Sequence, residues 1–236
     1  MSQPDGPIRA SAGPALANRV LRVLLTNAAV LLVMHVISRV IAWNIPLSTN
    51  WLHFVDAFDL DTEHSVPTWF SLFQLFAAAA VATVIAVGER RAGERRWWEW
   101  AAVSTVLVYI SLDEQVRIHE YTVAPLRSRL GIGEGPFYIA WVVVGIVAVV
   151  VVALILSRFA LRLQPAVRWR LIAAATMFVA GSVGVEMLYS QFVLGTAGEQ
   201  RAWLDALFHG AEETLEITGV AVAIWAMLHH DLRQEY

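Results

Sequence analysis

The side chains of this sequence that could do chemistry are acids and imidazoles, and they recur at helical spacing. His209, Glu212, Glu213 and Glu216 lie three, four and seven residues apart, which sets them on one stripe of a helix. Asp113, Arg117 and Glu120 align at i, i+4 and i+7. Glu114 stands about 100° from Asp113, and His119 projects away from that stripe as long as the helix stays regular. Either the helix unwinds near Glu120 or His119 serves another partner. Regular geometry therefore ranks Glu120 and Asp113 above Glu114 and His119. Glu186 with Tyr189, His35 with Arg39, and Glu63 with His64 complete the set.

Several carboxylates sharing one face in a low dielectric repel when all are ionised, so protons, arginine or a metal must compensate them. A divalent cation is the simplest compensator. His-x-x-Glu followed by Glu-x-x-Glu resembles, in reversed order, the Glu-x-x-His pairs of dimetal four-helix sites. The candidate metal ligands are Glu63, Asp113, Glu114, His119, Glu120, Glu186, His209, Glu212, Glu213 and Glu216. Arg117 and Tyr189 are candidates for orienting them. Carboxylate and imidazole donors suit iron, manganese or zinc better than copper(I). Iron would support oxidation of a lipid or quinone, and zinc would support lipid hydrolysis by an activated water.

Plainer readings stand beside these. The acids near 212–216 could be hydrated at a helix start, Asp113 could pair with Arg117, and Glu186 could be a protonated acid bonding a neighbouring helix. His35 reads as a packed polar residue, and His229 and His230 read as interfacial tail residues. Gly131, Gly133 and Gly135 form a loop with no strand before it, so they are not a phosphate cradle. His119-Glu120 lacks the second histidine of the zincin pattern, and Gly181-Ser182-Val183-Gly184 is not a nucleophile elbow.

The elements that position these groups follow from composition. The 236 residues are 58% hydrophobic and 16% charged, without cysteine. That excludes a disordered chain, a disulfide scaffold and thiol chemistry. A soluble domain carries about 25% charged residues, so the expected solvent is lipid. All 17 basic residues are arginine, which removes Schiff-base mechanisms. No basic stripe emerges to bind nucleic acid.

A spanning helix needs about 20 apolar residues, and six such stretches fall near 20–43, 66–88, 98–121, 137–158, 170–194 and 204–229. The fold class is all-α, a single six-transmembrane-helix bundle over 19–236, after a disordered cytoplasmic tail at 1–18 with Pro4, Gly6, Gly13 and Pro14. Twelve arginines (9, 19, 22, 90, 91, 95, 96, 158, 162, 168, 170 and 233) fall on one side of this arrangement, and three (127, 129 and 201) on the other. The positive-inside rule then makes both termini cytoplasmic. Trp97, Trp98 and Trp100 at one end, with Trp43, Trp51 and Trp69 at the other, suit interfacial belts. This orientation brings Asp113, Glu186 and Glu212 to one depth in the outer half, roughly 10–15 Å below the outer interface. Intramembrane ionisable groups are costly and usually mark a site.

The segments Asp61-Thr62-Glu63-His64-Ser65-Val66-Pro67-Thr68-Trp69, Ser111-Leu112-Asp113-Glu114 through His119-Glu120, and Glu212-Glu213-Thr214-Leu215-Glu216 resemble an uncharacterised bacterial multi-pass membrane family. The resemblance spans about 55–228. It implies an inner-membrane protein and places Glu63, Asp113, Glu114, His119, Glu120 and the last-helix acids in the family's recurring set. It brings no activity.

The expected function is a metal-dependent membrane enzyme acting on a lipid or quinone-like substrate. One alternative is a proton- or cation-coupled transporter, whose expected sign is a polar chain through the inner half, where only Gln74 and Glu99 stand. Another is an accessory or haem b subunit ligated by His35 with His119 or His209.

Overall fold

A computed structural model of the chain describes residues 7–45, 48–60, 62 and 64–234. Among these residues the fold is all helical, with no strand. The helices are α1 (Pro7–Asn44), α2 (Thr49–Phe58), α3 (Val66–Arg91), α4 (Trp97–Val116), α5 (Ile118–Leu130), α6 (Trp141–Arg162), α7 (Pro165–Val179), α8 (Glu186–Phe192) and α9 (Gly198–Gln234). A π-helical turn, Ala180–Val185, joins α7 to α8. Gly13–Asn44, Val66–Arg91, Trp141–Arg162 and Pro165–Phe192 are each long and apolar enough to cross a membrane. The helices α4 and α9, which carry most of the acids, are not among these four.

Local chemistry explains several boundaries. Ser65 caps α3, its hydroxyl accepting from the Thr68 amide at 3.3 Å, and Pro67 sits in the first turn, where a missing N–H costs nothing. Among the described residues α1 covers Pro7–Asn44, which includes part of the segment expected to be a tail; residues 1–6 of that segment lie outside the described residues. The expected third span does not run through 121. It stops at Val116, turns at Arg117 and restarts as α5. A short helix, α2, occupies the link between the first two spans, where the spacing predicts none.

Contacts at one end of the bundle establish the direction of each helix. The Trp100 indole at the start of α4 donates to Glu89 near the end of α3 at 3.1 Å. His230, near the end of α9, lies 3.6 Å from the same carboxylate and stacks on Trp100 with centroids 5.0 Å apart. Arg162, ending α6, pairs with the buried Glu99 of α4. Trp225 of α9 donates to Asn18 of α1 at 2.7 Å, and Arg170 of α7 lies 3.8 Å over the Trp225 ring. Thus α1, α4 and α7 rise from this end, and α3, α6 and α9 return to it. His229 and His230 are therefore packed groups rather than tail residues: His229 is buried, and His230 joins α9 to α3 and α4.

Beyond these polar contacts lies the apolar core. Leu75, Ala78, Ala82, Ile85 and Ala86 of α3 pack in one cluster with Trp100, Val220, Ile224 and Met227. Small residues let α3 approach its neighbours, and two serines fasten it to α4. Ser104 donates to the Ala79 carbonyl at 3.0 Å and Ser111 to the Leu72 carbonyl at 3.2 Å. Inside a membrane, where apolar surface alone does not separate protein from lipid, close packing and such bonds hold helices together.

Candidate functional site

The acids gather at the opposite end of the bundle from Glu89 and His230. On α9 the predicted stripe is present: Glu216 is buried, and His209 Nδ1 lies 3.6 Å from Glu212 one turn away. The π turn brings α8 to this stripe. Gly181 packs so closely on α9 that a Cβ there would lie 2.8 Å from the Glu212 carbonyl and 2.9 Å from Glu216 Cγ. A π turn adds one residue to a helix and rotates the turns after it, and here it precedes Glu186. Glu216 is within electrostatic reach of Glu213, Glu114, Glu212 and Glu186. Glu186 in turn feels Glu212, His209 and Glu120. Carboxylates from α4, α8 and α9 therefore share one region, as the depths of their segments predict.

The break after α4 decides which of its groups take part. Arg117 adopts a left-handed conformation (φ 58°, ψ 40°), which costs a non-glycine residue about 1–2 kcal/mol. The turn brings His119 back over Asp113. One Asp113 oxygen accepts from the His119 amide at 3.1 Å, and the other lies 2.6 Å from His119 Nδ1. His119 Nδ1–H is then the donor, and Nε2 makes no hydrogen bond among the described residues. A carboxylate holding one imidazole nitrogen so that the other is presented is the arrangement found behind metal-bound and acid–base histidines.

The regular helix on which the ranking of Glu120 and Asp113 above Glu114 and His119 rests ends at Val116. Glu114 lies within electrostatic reach of His119, Glu212 and Asp113. Glu120 is exposed and pairs with Arg117 at the edge of the site. Asp113 positions His119, and the Arg117 side chain is turned to Glu120 instead.

Trp141, at the start of α6, joins the halves of the site, and the sequence reading did not single it out. Its ring lies 4.8 Å from the His119 ring, and its indole N–H donates to Glu186 at 2.7 Å. Gly145, one turn on, makes room for it: a Cβ there would fall 2.7 Å from the indole. Tyr189 stacks beside His209 at 5.0 Å and donates to Asp205 at 2.9 Å, while Arg201 bonds both Asp205 and the Tyr189 hydroxyl at 2.6 Å. The Tyr189 hydroxyl, expected to orient a ligand, is thus engaged by Asp205 and Arg201.

Other expected residues lie apart. Glu63 lies outside the described residues. His35 is 2% exposed and packs between α1, the end of α2 and α9. The Leu60 amide donates to its Nδ1 at 3.1 Å, and its Nε2 lies 3.3 Å from the Ala206 carbonyl. Nδ1 is therefore an acceptor, and the ring is the neutral Nε2–H tautomer. Asp59, 3.4 Å from Nδ1, takes its charge partner from Arg39 at 2.8 Å instead. Both ring nitrogens of His35 are thus engaged by backbone groups in this packing.

Among the described residues, no three His, Cys, Asp or Glu side chains are arranged to hold a metal ion as they stand. The donors are neighbours without being a finished coordination shell. No curated protein and no solved structure matches the chain. A family model without assigned activity does match, over residues 23–232, and the chain accordingly belongs to the domain-of-unknown-function family DUF8692.

Proposed function

We propose that this protein crosses the bacterial inner membrane six times, with both termini cytoplasmic. Its outer-half chamber of acids and imidazoles takes up one or two divalent cations for metal-dependent chemistry on a lipid or quinone-like substrate. Four helices have the length and apolarity of spans. The 20 residues of α4 and 37 of α9 reach about 30 Å and more at 1.5 Å per residue. The arginines concentrate at the end where Glu89, Trp100 and His230 meet, as the positive-inside rule requires of a cytoplasmic face.

The observation that carries the cation reading is the meeting of Glu114, Glu186, Glu212, Glu213 and Glu216 beside a histidine already oriented by Asp113. Such a set attracts a cation from the outer side, and rotation about the glutamate side-chain bonds draws the oxygens onto it. His119 Nε2, Glu114, Glu186, His209 and Glu212 are the groups that would hold an ion at the level of Trp141. The ion would supply a Lewis acid and an activated water or redox chemistry. The protein supplies the rest: Asp113 holds the His119 tautomer, Trp141 holds Glu186, and Tyr189 fixes the His209 ring.

A transport route is less well supported, because the polar chain stops. Between Glu216 and Trp225, α9 gives Val220 and Ile224 to an apolar cluster shared with α3, a layer of about 14 Å by helical rise.

Two measurements test this reading. In the cysteine-free background, Gly133→Cys should react with an impermeant maleimide on intact spheroplasts, and Glu94→Cys only after lysis; the reverse pattern overturns the orientation. Manganese(II), iron(II) or zinc should raise the melting temperature of metal-stripped protein, and Glu186→Gln should reduce that rise. No rise with any of the three ions overturns the cation reading.

A further inference from the structure

The helix α1 packs through one face, burying Ala17, Ala28, Leu31, His35 and Ser38, and leaves its other face bare. On the bare side runs an open groove of about 510 Å³, lined by Arg19, Arg22, Val23, Thr26 and Asn27. Their spacing keeps all five on one stripe of the helix. The groove belongs to the arginine-rich end of the bundle, since Asn18 beside it accepts from Trp225 of α9.

Its charges are unanswered. Neither Arg19 nor Arg22 has an acidic partner among the described residues, and Arg22 uses only its Nε–H, on the Asn18 carbonyl at 3.4 Å. One turn further in, about 6 Å by helical rise from Arg22 to Thr26, the groove is polar without charge. Thr26 makes no hydrogen bond among the described residues, and the Asn27 amide donates to the Val23 carbonyl at 2.9 Å. Deeper still, Val30, Val33 and Ile37 continue the exposed face as hydrocarbon. Charge, neutral polar groups and apolar surface, in that order, match the phosphate, ester and acyl sections of a phospholipid. Guanidinium forks fit phosphate oxygens, and basic pockets at the cytoplasmic ends of spans take anionic headgroups.

A second copy of the chain fits this face poorly. A two-fold contact sets a surface patch against itself, which would oppose Arg19 and Arg22 to their own copies. Inorganic phosphate would answer the arginines but leave the inner half of the groove empty. We propose that the groove holds one anionic phospholipid of the cytoplasmic leaflet, its phosphate between Arg19 and Arg22, its ester oxygens at Thr26 and Asn27, and an acyl chain along Val23 and Val30. This assignment rests on the membrane-spanning orientation proposed above and is independent of the cation chamber.

The test is native mass spectrometry of the full-length protein in a non-ionic detergent, titrated with phosphatidylglycerol, phosphatidylcholine or inorganic phosphate. The wild type should retain one phosphatidylglycerol per chain, at least about tenfold more tightly than phosphatidylcholine, and equimolar inorganic phosphate should not displace it. Arg19→Gln/Arg22→Gln should remove that preference. Arg91→Gln/Arg95→Gln, which neutralises two exposed arginines at the same end, should leave it unchanged. No preference in the wild type, an unaltered preference in Arg19→Gln/Arg22→Gln, an equal loss in both double variants, or displacement by phosphate each overturns the inference alone. If Arg19→Gln/Arg22→Gln does not survive extraction, Thr26→Val/Asn27→Leu decides: unweakened retention of phosphatidylglycerol overturns the inference. Wild-type protein that stays in solution without detergent and retains neither lipid overturns the spanning reading as well.

Discussion

Gly181→Ala is expected to destabilise the protein by about 1–3 kcal/mol, the usual cost of forcing extra volume into a packed contact. The new methyl would meet the Glu212 carbonyl at 2.8 Å, Glu216 Cγ at 2.9 Å and Leu215 Cβ at 3.2 Å. The first of these is backbone and can yield only if α9 moves away from the π turn. That movement would part Glu186 from Glu212, so cation-induced stabilisation should fall together with the melting temperature. Gly88→Ala is the control. Nothing lies within 4 Å of a Cβ there, and alanine in a helix gains roughly 0.5–1 kcal/mol over glycine. Thermal melting of the two variants in one detergent checks the contrast, and equal shifts would contradict the close approach of α9 to the π turn.

Trp141→Phe carries the other large expected effect. Phenylalanine keeps an aromatic ring beside His119 but removes the N–H that donates to Glu186 at 2.7 Å. Deleting one partner of a bond to a buried acid costs about 1–3 kcal/mol. Losing the group that aims a ligand typically costs about 10–100-fold in metal affinity, which is the range expected here. Gly145→Ala should reproduce the affinity loss without touching a polar group, because its methyl would collide with the indole at 2.7 Å. Metal titration of both variants checks this. Unchanged affinity in both would remove Trp141 from the site.

The helical spacing of His209, Glu212, Glu213 and Glu216 was enough to place them on one stripe, because α9 is regular throughout that stretch. The common level expected of Asp113, Glu186 and Glu212 came from span length and alternating direction alone, without side-chain detail. The turn at Arg117 was not legible. A left-handed arginine has no local signature, and the conformation persists only because Asp113 and the restarted helix over-determine it. The break at that one residue is what brings His119 back over Asp113, the unwound alternative that the spacing leaves open. The π turn was hidden in the same way, since its small residues read equally well as an ordinary helix. Trp141 was missed because its partners, His119 and Glu186, are distant in sequence, although a glycine one turn after it is a usable signal. His230 looked like part of a polar tail because its partners, Glu89 and Trp100, are distant in sequence.

Metal content per chain tests the cation chamber most directly. Protein purified without chelators from cells grown with manganese, iron and zinc should carry one or two divalent ions per chain, and the Glu186→Gln/Glu212→Gln/Glu216→Gln variant, folded by its melting curve, should carry none. Wild-type protein with no bound ion, or a variant with as much metal as the wild type, would contradict it.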